Sequence, residues 1–434
     1  MLEVISTPIA NIKPNPKNAR THSKKQIRQI ANSIRQFGFV NPILADETGV
    51  VIAGHGRLLA ALMLESHEVP VITLSGLTDV QKRTLTLADN KIASNAGWDR
   101  QKLAIEIPEL GTLLEIEGLD ISLTGFEVPE IDQLFADFDE RNDPDDRFEE
   151  TSGPAVTQIG DVWILDQHRS CCANARNVDD VDRLMDGEMA SMAFLDPPYN
   201  VSIAGVVGRG KTKHPEFVEA SGELTAPEFV EFLTATLRNA ARISAAGSLH
   251  YVCMDWRHVG ELLRAGQAVY SQHVNTAIWV KTNAGLGSFY RSQHEQILVF
   301  RVGDAAHLNN VELGRHGRSR SNVWTYPGAN TFRKGRMDDL CVHPTVKPIA
   351  LVSDAIRDCT KRRDIVADLF SGSGTSILAA ERVGRRAFCM DIDPLHVDTG
   401  VRRWQALTGK DAVLAGTDLT FNEVQIARSD VAKA

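Results

Sequence analysis

Asp364-Ile365-Val366-Ala367-Asp368-Leu369-Phe370-Ser371-Gly372-Ser373-Gly374-Thr375, continued by Ser376-Ile377-Leu378-Ala379-Ala380-Glu381, reads as a buried strand, a glycine-rich turn and a helix. Arg386 to Met390 then forms a second apolar strand ending at Asp391, 23 residues beyond Asp368, so the stretch is a βαβ unit. Ligands of such units lie beyond the carboxyl ends of the strands. Gly372 and Gly374 let the backbone approach a ligand, and Asp391 stands where a carboxylate can take the hydroxyls of a ribose. Together they predict a ligand that contains a nucleoside. The turn lacks the third glycine of a dinucleotide fingerprint and the Gly-Lys-Ser/Thr of a triphosphate loop, so neither NAD nor ATP fits it.

Outward from this unit, strand-like and helix-like segments alternate from about residue 157, which predicts a parallel sheet covered by helices on both faces. Met189 to Leu195 is one such strand, and Asp196-Pro197-Pro198-Tyr199-Asn200 follows it at once. Two prolines with fixed φ and no N–H hold that turn rigid, locking a carboxylate, an outward carbonyl and an aromatic face within four residues. The set suits a planar base with an amino group. Tyr199 stacks on the ring, while Asp196 and the Pro197 carbonyl accept the two amino protons. An exocyclic amine is a poor nucleophile because its lone pair is drawn into the ring, and acceptors on its protons favour a pyramidal nitrogen that can attack an electrophilic methyl.

These two segments, with His343-Pro344-Thr345-Val346-Lys347-Pro348 before the glycine turn, resemble the amino-group DNA methyltransferases that use S-adenosylmethionine, over about residues 157 to 410. The order, catalytic element first and cofactor turn last, looks like the circularly permuted β subclass, as do Ile278-Trp279-Val280-Lys281 and Arg291 to Phe300. The resemblance implies a Rossmann-like doubly wound domain in which Asp196, Pro197, Pro198 and Tyr199 hold the base. It also implies that His343, Thr345, Lys347, Asp368, Phe370, Ser371, Gly372, Gly374 and Thr375 line the pocket for S-adenosyl-L-methionine, with Asp391 on the ribose. The family more often has Glu at this last position. No metal is implied. Asp at the head of the catalytic element points to adenine, since the cytosine enzymes more often carry Ser there; cytosine modified at its amino group is the alternative.

Residues 281 to 340, the candidate target-recognition region, hold 9 basic and 5 acidic side chains. Arg291, Arg315, Arg318, Arg320, Arg333, Lys334 and Arg336 are the expected DNA contacts there, interleaved with Trp324, Tyr326 and Phe332. Arg209, Lys211 and Lys213, in a glycine-rich stretch, are a second expected set. The net charge of −9 does not oppose this, because residues 101 to 150 alone carry −13, against +4 for residues 1 to 100 and balance in the rest. Like charges in that run predict a solvated linker.

The amino-terminal part reads as a small α/β module with a helix over Lys24 to Phe37 and strands over Pro42 to Ala45, Val50 to Ala53 and Val69 to Leu74. Asn15-Pro16-Lys17-Asn18-Ala19-Arg20, Gly38 to Ile43 and Ile52-Ala53-Gly54-His55-Gly56-Arg57 resemble the ParB-type nuclease-like domain. In partition proteins that domain binds a nucleoside triphosphate through Gly-Glu-Arg-Arg. Gly54-His55-Gly56-Arg57 lacks the Glu and one Arg, which argues against nucleotide hydrolysis and leaves DNA contact or domain docking equally open. The expected division is a ParB-like domain at 1–98, a helical and acidic linker at 99–156 and a methyltransferase domain at 157–434.

Composition sets outer limits. With 43% hydrophobic and 24% charged residues and no apolar run near the roughly 20 residues of a membrane span, no membrane partner is expected. The start carries no secretion signal and the six cysteines have no zinc-like or paired spacing, so reduced thiols and a cytoplasmic, nucleoid-associated protein are expected. The expected partners are double-stranded DNA and a second copy in a homodimer. A rival of another class is a ParB-like DNA-binding regulator whose methylase half is vestigial; methylation of a protein glutamine amide is a third reading, disfavoured by the order of the elements.

Overall fold

The computed structural model describes residues 2–136, 144–146, 148, 153–201, 219–282, 284, 289–313, 320–328 and 346–431. It falls into two compact units, Met1–Phe135 and Ala136–Ala434. In the first, β1 (Ile5–Pro8), β2 (Ile43–Asp46), β3 (Val51–Ala53) and β4 (Glu68–Leu74) form a sheet in the order β1-β4-β2-β3. The helices are α1 (Lys24–Phe37), α2 (His55–Met63), α3 (Asp79–Ser94), α4 (Arg100–Ile116) and α5 (Val128–Ala136). The Ser23 hydroxyl caps α1 by accepting from the Gln26 amide, and Gly38 ends it at φ +78°. Asp46 accepts from the Thr48 and Val50 amides and the Thr48 hydroxyl, fixing the β2–β3 turn. His55, the first residue of α2, is buried and its Nε2 accepts from the Asn15 amide at 3.3 Å, so it serves as a neutral structural histidine. Burial lowers its pKa.

The larger unit is a ten-stranded sheet in the order β11-β9-β10-β8-β7-β12-β13-β6-β5-β14. Its strands are β5 (Val162–Leu165), β6 (His168–Cys172), β7 (Ala190–Leu195), β8 (Ser244–Met254), β9 (Gln272–Lys281), β10 (His294–Arg301), β11 (Val323–Tyr326), β12 (Ile365–Asp368), β13 (Arg386–Asp391) and β14 (Val413–Leu414). Successive residues of the central strands enter opposite cores. Met192 and Phe194, Tyr251 and Cys253, Val366, and Cys389 join one; Ala193 and Leu195, Val252 and Met254, Ala367, and Phe388 and Met390 join the other. A sheet buried on both faces needs apolar side chains at every position, which is why these strands read as continuous apolar runs.

The first face is covered by α9 (Ile349–Cys359), α10 (Thr375–Val383), α11 (Pro394–Thr408) and α12 (Phe421–Val431), through residues such as Ile349, Ile377, Val401 and Val424. The second is covered by α6 (Val178–Met185), α7 (Ala226–Arg242) and α8 (Val259–Val269), through Val181, Phe229 and Leu262. The doubly wound α/β class is as expected, but the sheet is mixed. β10 runs antiparallel to both β8 and β9 and lies between them. A strand that returns directly beside its predecessor without a helical crossover must be antiparallel. No described helix is long and apolar enough to cross a membrane.

Candidate active site

β7 pairs in parallel with β12 on one side and β8 on the other, and β12 pairs in parallel with β13. The chain leaves β7 through α7 toward β8 and leaves β12 through α10 toward β13, in opposite directions along the sheet. The carboxyl ends of β7 and β12 therefore flank a topological switch point, where open α/β sheets form a crevice. Asp196, Asp368 and Asp391 all stand at this edge, next to or at the ends of β7, β12 and β13.

Around Asp196 two carboxylates and two ammoniums are interleaved. Lys347 Nζ donates to Asp196 Oδ2 at 2.6 Å and to Tyr199 Oη at 3.2 Å, and lies 3.2 Å from Glu295 Oε2. Tyr199 Oη donates to Asp196 Oδ1 at 2.7 Å, with Glu295 Oε2 3.0 Å away, and Lys281 Nζ reaches Glu295 Oε1 at 2.5 Å. The charges cancel, which lets the cluster persist with Lys347 only 5% and Glu295 11% exposed. Burial raises the Asp196 carboxyl, against the pull of Lys347. Burial also acts to raise Glu295, but Lys347 and Lys281 together hold it down to about 2. Lys347 is penalised by burial yet raised above the ordinary lysine value by Asp196 and Glu295. The Tyr199 phenol is pushed well up by burial and by the same carboxylates, so it stays a donor. Asn200 closes the turn at φ +53°, its amide oxygen accepting from the Gly222 and Leu224 amides.

The glycine turn is organised by two aspartates. Asp368 accepts from the Phe370 amide and the Ser376 hydroxyl, and burial pushes its carboxyl up to about 7. Asp391 accepts from the Gly372 amide at 2.8 Å and the Asp393 amide at 2.9 Å, with His396 Nδ1 3.2 Å away. Those contacts leave one of its four lone-pair positions for another donor. The two glycines serve different needs. Gly372, at φ +50°, has nothing within 4 Å of where a Cβ would point, so its face is open to a ligand. Gly374, at φ +81°, would place a Cβ 2.7 Å from the Gly400 Cα; its lack of a side chain lets α10 and α11 approach.

With this geometry in view, residues 190–402 match the DNA methylase family, residues 101–159 the ParB-methyltransferase HTH domain and residues 1–91 the ParB N-terminal domain. The chain belongs to the ParB-linked DNA methylases. The ParB-like nuclease domain-containing protein YnaK of Escherichia coli K12 is 54% identical over 82 residues, 19% of this chain and 94% of that protein. Type II methyltransferase M2.DpnII of Streptococcus pneumoniae is 27% identical over 242 residues, covering 51% of this chain and 85% of that one. Among solved structures, PvuII DNA methyltransferase, described as cytosine-N4-specific, aligns with 62% of this chain and 93% of its own at 13% identity and a TM-score of 0.42. The methylase domain is of the class that modifies DNA amino groups, N6 or N4.

Within the methylase domain, the expected site residues divide three ways. Asp196, Pro197, Pro198, Tyr199, Asp368, Phe370, Ser371, Gly372, Gly374, Thr375 and Asp391 gather at one sheet edge. Lys347 gathers there too, but its ammonium lies on Asp196 and not on the glycine turn. Arg320, expected to meet phosphate, is instead a structural cation: it pairs with Asp354 at 2.8 Å and Asp358 at 2.9 Å, lies over the Trp324 ring, and is only 18% exposed. Arg291 donates to the Ala284 carbonyl. Arg209, Lys211, Lys213, Arg315, Arg318, Arg333, Lys334, Arg336, His343 and Thr345 lie outside the described residues. Glu295 and Lys281 were not anticipated as site residues. The available signal was a glutamate on the same strand face as Ile297 and Val299, where an apolar side chain belongs.

Proposed function

We propose that this chain transfers a methyl group to the exocyclic amino nitrogen of an adenine extruded from duplex DNA, with S-adenosylmethionine as donor. The observation that carries the reading is the placement of Asp196 to Tyr199 and of the Phe370 to Gly374 turn on either side of one switch-point crevice. The turn suits the cofactor: Gly372 offers an open backbone face, the amino end of α10 follows it, and Asp391 retains an acceptor for a hydroxyl. Phe370, Ser371, Gly372 and Asp391 would hold it. When bound, S-adenosylmethionine supplies an electrophilic methyl.

Every other task belongs to the chain. Asp196 Oδ2 accepts one amino proton of the base, and the Pro197 carbonyl is the second acceptor. Lys347 must then yield Asp196 Oδ2, and Glu295 Oε2, already 3.2 Å from its ammonium, is where its charge goes. Tyr199, tethered through its hydroxyl, offers its ring to the base. The nitrogen sheds a proton as it gains the methyl, and the Asp196 carboxylate, with its raised pKa, is the nearest base of the cluster to take it. Extrusion is needed because the amino group of a paired adenine lies within the duplex. Adenine is favoured by Asp at the head of the element.

The test is incorporation of tritiated methyl into acid-precipitable duplex DNA. Incorporation by the wild-type chain that is lost in Asp196→Ala supports the reading. DNA binding with no incorporation supports the regulatory rival.

A further inference from the structure

The acidic run ahead of the methylase domain carries an ordered contact set that a solvated linker would not have. The Asp145 carboxylate pairs with Arg382 of α10, and the Asp145 carbonyl accepts from Arg403 Nη2 at 2.8 Å. Asp146 Oδ1 accepts from the Ile349 amide at 2.9 Å, capping α9. The half-buried Phe148 ring lies 4.0 Å from the Arg403 guanidinium. These partners stand 203 to 258 positions further along the chain.

Two of them lead directly into the site. Arg403 is buried at 8% exposure, and its Nη1 donates to both the carbonyl, at 2.8 Å, and the hydroxyl, at 3.1 Å, of Ser373, which lies between the two glycines of the turn. Burial lowers the Arg403 pKa to about 10, and Asp146 and Asp145 resist that fall. Ile349 follows two residues after Lys347, the cation that holds Asp196. One short segment thus braces the glycine turn through Arg403 and, through Asp146, the start of α9 just after Lys347.

We infer that Asp145, Asp146 and Phe148 are positioning residues of the cofactor site, holding Arg403 on Ser373 so that the turn keeps the shape in which Gly372 is open. The inference rests on the proposed binding of S-adenosylmethionine at that turn. Without the brace the turn samples other shapes, and affinity falls in proportion to the fraction that remains competent. The segment lies in the second unit and follows, in sequence, the end of the first at Phe135.

The experiment uses the full chain with Phe148→Ala, Asp146→Asn and Phe148→Tyr. Affinity for S-adenosylhomocysteine is measured by calorimetry, cofactor KM and kcat by methyl transfer, and Tm without ligand. Phe148→Ala is expected to raise both the Kd and the cofactor KM about three- to tenfold, with a smaller change in kcat at saturating cofactor. Asp146→Asn is expected to raise both in the same direction, and Phe148→Tyr, which keeps the ring over Arg403, to restore them. Wild-type binding with unaltered Kd in Phe148→Ala and Asp146→Asn, whatever their Tm, overturns this inference alone. No binding by the wild-type chain overturns the reading of the turn and this inference with it.

Discussion

Replacing Lys347 by methionine isolates what the buried ammonium does for Asp196. Lys347 is the cation 2.6 Å from Asp196 Oδ2, while Glu295 sits on the far side of the Tyr199 hydroxyl with a like charge. Burial already raises the Asp196 carboxyl, and Lys347 is the largest influence opposing that rise. Removing it must raise the carboxyl further. Asp196 accepts an amino proton only as a carboxylate, so transfer is lost as pH falls through its pKa. An opposite charge this close is worth roughly one to three pH units, so the acid limb of kcat/KM for DNA, which reports the free enzyme, should move upward by that much. Below both limbs, each unit is about a tenfold loss of rate. The assay is single-turnover methyl transfer from pH 5 to 9 at saturating cofactor, with Lys347→Arg as the charge-preserving control. The methionine variant should recover toward high pH, and the arginine variant should keep its limb nearer that of the wild type. A methionine profile parallel to wild type at every pH would refute the argument that Lys347 sets the state of Asp196.

Asp196→Ala should lower the methyl-transfer rate about a hundredfold or more while leaving S-adenosylhomocysteine affinity near wild type, read by calorimetry, because Lys347 keeps Glu295 as a partner. Asp391→Ala should do the reverse, raising the Kd for S-adenosylhomocysteine with a smaller effect on kcat at saturation, since it orders Gly372 in free and bound forms alike. Gly374→Val should lower Tm sharply, because a Cβ at φ +81° would stand 2.7 Å from the Gly400 Cα. Arg320→Ala should destabilise the fold by about 3–5 kcal/mol in denaturant melts, since it removes the buried cation that Asp354 and Asp358 share, and should not change the salt dependence of DNA binding.

Much of the crevice was legible in the sequence, because its strands are short apolar runs that stop at an aspartate: Phe194-Leu195 before Asp196, Val366-Ala367 before Asp368, and Cys389-Met390 before Asp391. The antiparallel insertion of β10 was not, since strand direction depends on pairing and not on composition. The same holds for Glu295, which meets Lys347 and Tyr199, and for Lys281, which meets Glu295, because β9 and β10 pair with Glu295 opposite Trp279. Arg320 misled for a related reason: an arginine among basic neighbours looks like a phosphate contact until Asp354 and Asp358 on α9 are seen to enclose it. Gly374 has the spacing of a ligand-binding glycine, and its packing against Gly400 was not legible because that partner lies far along the chain. The acidic run was the hardest to read, because its charge suits solvent while Asp145, Asp146 and Phe148 find buried arginine and a helix amide at long range.

The proposed reaction ends at one atom, the exocyclic nitrogen of adenine. Duplex DNA lacking modified bases, incubated with the full chain and S-adenosylmethionine carrying a deuterated methyl, then digested to nucleosides and weighed by mass spectrometry, tests it most directly. Deuteromethyl is expected on the amino nitrogen of deoxyadenosine; label on deoxycytidine, or none in DNA, would contradict the proposed reaction.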